Sequence, residues 1–408
     1  MKREHYIPFD KEFLLEQQQE EYIGDKKEAE DFKKLFDLIE HYFHYEAFNL
    51  IRGLKQNYAL FDPDINPKER SAFIGKSDFS LFKDTLLKVL DRGNYSRVNQ
   101  DTLDKAFKDS DLIGLKLAID LDTYKEYEIY VRGHHKTKEK VSKFIFWKKE
   151  IEIEYYDRVM IYLNYHDENY YNTKKVRLGK MPIDPGTIVL KIFKRVPKND
   201  LETIFPNAVP MMSKTDKILL WVPGLVGGIS LLSTKVIPAL ITMQAAYESG
   251  ETIDLLNSKT SLNQGLIALG ILGGYLFRQY NNFVNKKIKY SKMLSDSLYF
   301  KNIGNNSGAF YSLLNSSEEE VLKETILAYS FLNRSKTPLT ASVLDHQIES
   351  WFKTKHNTDL DFDVKAALLR LKSTGLGSET NGKWEVIPLN KALIRIDELW
   401  DGAFEYNK

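Results

Sequence analysis

Two histidines, His41 and His44, stand three residues apart in "EHYFHYE", with Glu40 and Glu46 beside them. On a helix this spacing puts both imidazoles on one face, an arrangement that can hold a divalent cation. A pair alone leaves a metal short of ligands, so His41 and His44 are metal candidates only if other parts of the chain reach them. Otherwise they mark the polar face of an amphipathic helix. His134 and His135 are adjacent, and on a strand adjacent side chains project to opposite faces, so they do not share an ion. "GLVGG" and "GILGG" lack the Lys-Ser/Thr that a phosphate-cradling loop requires. Neither a serine elbow nor an HExxH motif is present. Cysteine is absent, which removes thiolate metal sites, disulfides and a cysteine nucleophile. No catalytic residue and no cofactor is therefore expected; the enzyme reading reduces to metal chemistry at His41 and His44.

The elements that would position these residues fall into several regions. At 408 residues the chain is long enough for more than one folded unit. Lys plus Arg number 58 and Asp plus Glu 57, so no net field attracts nucleic acid, and none is expected as a partner. The N-terminus has no apolar h-region, so it does not read as a secretory signal.

Two apolar runs dominate the middle of the chain. Residues 218–234 carry no charge between Lys217 and Lys235, and a second run, 262–277, closes at Arg278. Read as a transmembrane hairpin, the spans are about 218–241 and 262–278, each near the roughly 20 residues that a bilayer requires. Trp221 and Lys217 at one end, with Tyr275 and Arg278 at the other, would share one membrane interface. Gly224 with Gly228, and Gly270 with Gly274, leave small-residue grooves for helix packing or oligomerisation. Basic flanks and an acidic loop place both termini in the cytoplasm, in the cytoplasmic (inner) membrane if the cell is bacterial. The bilayer and further copies of the chain are then the expected partners.

Around the hairpin, residues 1–122 read as a helical region, with Phe32, Leu35, Phe36, Ile39, Phe43, Phe48 and Ile51 at three- and four-residue spacings. Residues 123–210 read as a small antiparallel β domain, through alternation such as Ile151, Ile153 and Tyr155 against Glu150, Glu152 and Glu154. It ends in an elbow helix bounded by Pro197 and Pro206. Residues 211–285 hold the hairpin. In 286–408, a Gly/Asn-rich loop precedes a helix expected to start at "NSSEEE". Two helices and a hairpin turning at Asn381-Gly382 then give a winged-helix-like domain. Its second helix is too poor in cations for DNA and better suits a protein contact. The expected fold class is an α+β membrane protein with these four parts in order.

Several segments together, "REHYIPF" (3–9), "YYDRVMIYL" (155–163), "LKIFKRVPKNDLETIFPN" (190–207), "LYFKNIGNNSGAFYSLLNSSEEEVLKETILAYSFL" (298–332) and "FDVKAALLRLKSTGL" (362–376), resemble the transmembrane protein 143 family. The resemblance implies a membrane protein with two closely spaced spans between soluble regions and no agreed catalytic residue. That pattern favours an acid where Arg195 stands, so Arg195 is assigned no role. The expected function is an oligomeric assembly, sensing or scaffold module in a membrane, or alternatively a gated pore built from the hairpins.

Overall fold

The computed structural model describes residues 3–21, 26–103, 116–144, 147–174, 184–211, 230, 233–234, 237–249, 267, 270, 273–285, 288–289, 291–292, 298–335 and 337–403. The chain divides into two compact units.

The first unit comprises residues 1–102, 121–198 and 301–408. It begins with α1 (Lys11–Glu20), whose N-cap Asp10 accepts from the Glu12 amide, and α2 (Lys26–Tyr58). Phe32, Leu35, Phe36, Ile39 and Phe43 recur every three or four residues along α2, and all five are buried. Phe48 departs from the expected stripe and is 59% exposed. A short turn of helix, α3 (Pro67–Arg70), leads to α4 (Phe79–Arg92), capped by Asp78 and ended by Gly93.

The chain then enters a five-stranded antiparallel sheet, ordered β1 (Ser96–Arg97), β3 (Tyr124–Phe144), β4 (Trp147–Tyr165), β5 (Ile188–Pro197) and β7 (Asn302–Asn305). A helix, α5 (Glu168–Lys174), follows β4. Tyr130, Met160, Tyr162, Leu190 and Ile192 share one face of the sheet. They pack in one core with Tyr58, Phe82, Leu86 and Phe310. The Gly/Asn-rich stretch that reads as a loop thus supplies the edge strand β7.

Beyond it runs a 29-residue helix (Asn306–Arg334). It starts at Asn306, well before the expected "NSSEEE" boundary, because Phe310, Leu313 and Leu314 already lie at helical spacing and are buried. Ser316 and Ser317 are buried mid-helix residues, not caps. Its first turns join the sheet core, and its later residues Leu322, Ile326, Leu327 and Tyr329 join a second core. That second core draws Ile7, Phe32, Phe36 and Ile39 from the N-terminal region. It also takes Leu344, Phe352, Leu371 and Ile396 from three C-terminal helices, Ala341–His356, Val364–Thr374 and Leu389–Asp401. Between the last two lies the hairpin β8 (Gly377–Thr380) and β9 (Lys383–Val386), turning on Asn381 (φ 51°) and Gly382 (φ 75°). Positive φ at both central residues gives the twist that suits a two-residue hairpin. Helices from both ends of the chain therefore build one core.

The second unit comprises residues 103–120 and 199–300. A ribbon pairs β2 (Lys116–Ala118) with β6 (Val209–Met211), and the Asn207 side-chain amide donates to the Asp120 carbonyl at 2.6 Å. The segment between the two prolines, expected as an elbow helix, is a 3-10 helix from Lys198 to Ile204 with a kink at Asp200. Further along are α6 (Ile237–Ser249) and helical residues 273–285. The long helix at Asn306–Arg334 is then α7, and the three C-terminal helices are α8, α9 and α10.

The expected transmembrane hairpin is corrected here. Among the described residues, no helix is long and apolar enough to cross a membrane. Residues 212–229 and 250–266, which hold much of both runs, lie outside the described residues. Where the first span was to end at Ile241, α6 instead begins at Ile237 and continues through the expected loop to Ser249. Pro238 stands in its first turn, where the missing amide hydrogen costs no intrahelical bond. The 13 residues of α6 reach about 20 Å at 1.5 Å each, against about 30 Å of hydrocarbon. The fold is α+β with a five-stranded antiparallel sheet, and the membrane-protein class is withdrawn.

Candidate functional site

Helical residues 273–285 carry Gly274 of the second glycine pair and both described interface residues, and Gly270 is itself helical. Gly270, Gly273, Phe277, Tyr280 and Val284 recur at alternating three- and four-residue steps, the spacing of one helix face. Phe277 is 67% exposed and Tyr280 55%. Among the described residues, a Cβ built on Gly270, Gly273 or Gly274 would meet nothing within 4 Å. Tyr275 and Arg278 are exposed on the same helix, with Gln279 donating to the Tyr275 hydroxyl at 3.2 Å. On α6, Ile237, Ile241 and Tyr247 are also exposed. The other expected residues, Lys217, Trp221, Gly224 and Gly228, lie outside the described residues. Of the eight, the structure thus places Gly274, Tyr275 and Arg278 on helical residues 273–285, with Gly270 also helical.

His41 and His44 sit on the exposed face of α2. Nδ1 of His41 donates to the Asp37 carbonyl at 2.6 Å, one turn back on its own helix. Nδ1 of His44 lies 3.2 Å from the Glu318 carboxylate on α7, a partner 274 residues away that no local pattern signals. Among the described residues, no group of three or more His, Asp or Glu is arranged to hold a metal ion.

A second site lies beneath residues 3–9. Arg3 pairs with Glu349 at 2.7 Å, and the Glu4 carbonyl accepts from the Asp361 amide at 2.9 Å. The Ile7 amide donates to Glu320 at 3.1 Å. The buried Lys323 ammonium donates to the carbonyls of Ile7 (2.8 Å) and Phe9 (3.2 Å) and pairs with Glu320. Buried side chains on α7 therefore satisfy the backbone of this strap, as extended chain outside a sheet requires. Beside it is a cleft of about 390 Å³ lined by Arg3, Glu4, Tyr6, His134, His135 and Asp157.

The two histidines diverge as strand geometry demands. His134 Nε2 lies 3.1 Å from Glu154, and His135 Nδ1 lies 3.5 Å from Asp157. Glu154 also accepts from Lys198 (2.8 Å) and pairs with Lys136 (3.1 Å). The Lys198 bond, followed by Lys136, pulls its carboxyl down to about 2. Burial pushes the Tyr6 phenol up to about 12, so it stays protonated at neutral pH and is a poor base. The ionisable groups of this cleft are spent on one another and on the strap. Sequence reasoning passed over Tyr6, Glu320 and Lys323; the available signal was a lysine inside the apolar-periodic stretch "VLKETIL".

The sequence model of a family described as a protein of unknown function, DUF3754, matches residues 156–308, from within β4 to the first turn of α7. No solved structure matches the chain.

Proposed function

We propose that the protein is an assembly or scaffold module that joins further copies of itself through the helical face at 270–284. The observation that carries this reading is the exposure of Phe277 and Tyr280 on one face, in line with open glycines at 270 and 273. Large apolar groups gathered on one exposed surface gain by burial against a partner, whereas scattered ones do not. The alternating three- and four-residue spacing suits a second helix, with glycines admitting close approach and aromatic residues filling the space beyond. Arg278 is the one charged residue between 270 and 285, and it stands off the seam, so two copies meet without like charges opposed.

Sedimentation velocity of the purified full chain tests this. Assembly at micromolar concentration is expected, and Phe277→Asp with Tyr280→Asp should shift it to monomer with unchanged circular dichroism. A monomeric wild type, or variants that assemble normally, would sink the proposal.

A further inference from the structure

Three cations stand side by side across the sheet. Arg132 on β3 is opposite Arg158 on β4, and Arg158 is opposite Lys194 on β5. Directly opposed residues of neighbouring strands project to the same face, and strands lie about 4.8 Å apart, so the row is about 10 Å long. Two residues along on that face are Tyr130, Met160 and Ile192, in the core with α4 and α7. The row therefore begins where apolar packing ends.

Like charges directly opposed on a sheet repel. Several other cations of this unit are paired: Lys83 and Arg97 with Glu128, Lys136 and Lys198 with Glu154, Lys323 with Glu320. Among the described residues, none of the three in the row has an ion pair. Arg132 is 5% exposed and its Nε has no partner. Its Nη1 donates to the carbonyls of Gly93 (3.3 Å) and Ser316 (3.4 Å), and its guanidinium stacks over Tyr6 (4.6 Å) and Tyr95 (5.1 Å). Arg158 donates to the Asp157 carbonyl at 3.0 Å, while the Asp157 carboxylate faces His135. Carbonyls and aromatic rings solvate these cations without cancelling their charge. Arg158 is half-buried and Lys194 exposed, so the row is open on that side.

We propose that this row binds a phosphate-class oxyanion carrying more than one phosphate, either free pyrophosphate or the diphosphate of a nucleotide. Three cations without an ion pair exceed what a single carboxylate compensates, and a ligand with more than one phosphate carries the charge to match them. The Arg158 fork and the Lys194 ammonium contact the anion, since a guanidinium matches phosphate oxygens in pairs and an ammonium serves as a point charge. Arg132 adds its field from beneath, where burial weakens screening. Ligand charge then replaces the cross-strand repulsion.

The test is the melting temperature of the full chain titrated with inorganic pyrophosphate, and separately with ADP, at constant ionic strength set with chloride. A saturable rise is expected in the wild type and in Lys194→Arg. It should be lost in the Arg158→Gln/Lys194→Gln pair. Without ligand, that pair should melt no lower than the wild type, because the substitutions relieve repulsion; this separates lost binding from lost folding. A larger rise with ADP than with pyrophosphate assigns the ligand to a nucleotide, and an equal or smaller one to the free anion. No saturable rise with either probe, or a rise the double variant keeps, overturns the proposal.

Discussion

Asn94 and Glu324 meet inside the first unit: the Asn94 amide donates to the Glu324 carboxyl at 2.8 Å. The same amide reaches Glu320 and the His5 carbonyl, each at 3.2 Å, so one residue in the left-handed region (φ 56°) ties α7 to the strap. Burial holds the Glu324 carboxyl well above the usual carboxylate range; the Asn94 bond opposes this, and Glu320 and Asp363 add to it.

The folded state therefore holds the Glu324 proton more tightly than the unfolded chain. Stability is fully present below the unfolded value of about 4.3 and is lost as pH rises towards the folded value. Glu324→Gln keeps the shape and the bond to Asn94 without the charge. Its melting temperature should match the wild type near pH 4 and exceed it increasingly from pH 5 to 8. Parallel pH profiles would refute the assignment.

Lys323 and Glu320 are both buried and hold the strap from opposite polarities. Lys323→Met leaves Glu320 buried without its cation, which costs about 3–5 kcal/mol. Adding Glu320→Gln should recover part of that loss, because the double change removes both charges. Urea denaturation of the four proteins measures the coupling, and strictly additive losses would contradict the pairing.

Glu154 presents the opposite case. The bonds from Lys198 and Lys136 lower its folded pKa to about 2, so its contribution is present above about 4.3 and lost as pH falls through about 2. The group is reached by solvent, and such pairs contribute below about 1 kcal/mol. Glu154→Gln should cost no more than that at low salt and almost nothing at high salt; a large salt-independent loss would show that the cluster is structural.

Phe310 on α7 meets Tyr58 edge-on at 5.2 Å and lies 6.1 Å from Phe82. Because α2, α4, α7 and the sheet converge there, Phe310→Ala should cost about 3–5 kcal/mol. Equilibrium denaturation checks the value, and a loss under about 1 kcal/mol would mean that the site collapses around the gap.

What the sequence by itself determined is what short-range periodicity encodes. The α2 stripe from Phe32 to Phe43, the alternation along β4 and β5, and the Asn381-Gly382 turn all depend on residues within a few positions of one another, so spacing and φ preference suffice to read them. Tertiary structure alone decided the rest. It made β7 from a stretch that reads as a loop, because Asn302–Asn305 finds its hydrogen bonds on β5 more than a hundred residues earlier. It ran α7 through the serines at 316 and 317, because burial against both cores outweighs their preference for a cap. It placed α6 across the expected end of a membrane span. The strap, its latch of Glu320, Lys323 and Asn94, and the row from Arg132 to Lys194 were equally invisible. Each is a meeting of residues far apart in the chain, and such meetings are set by strand register and packing, which no local window contains.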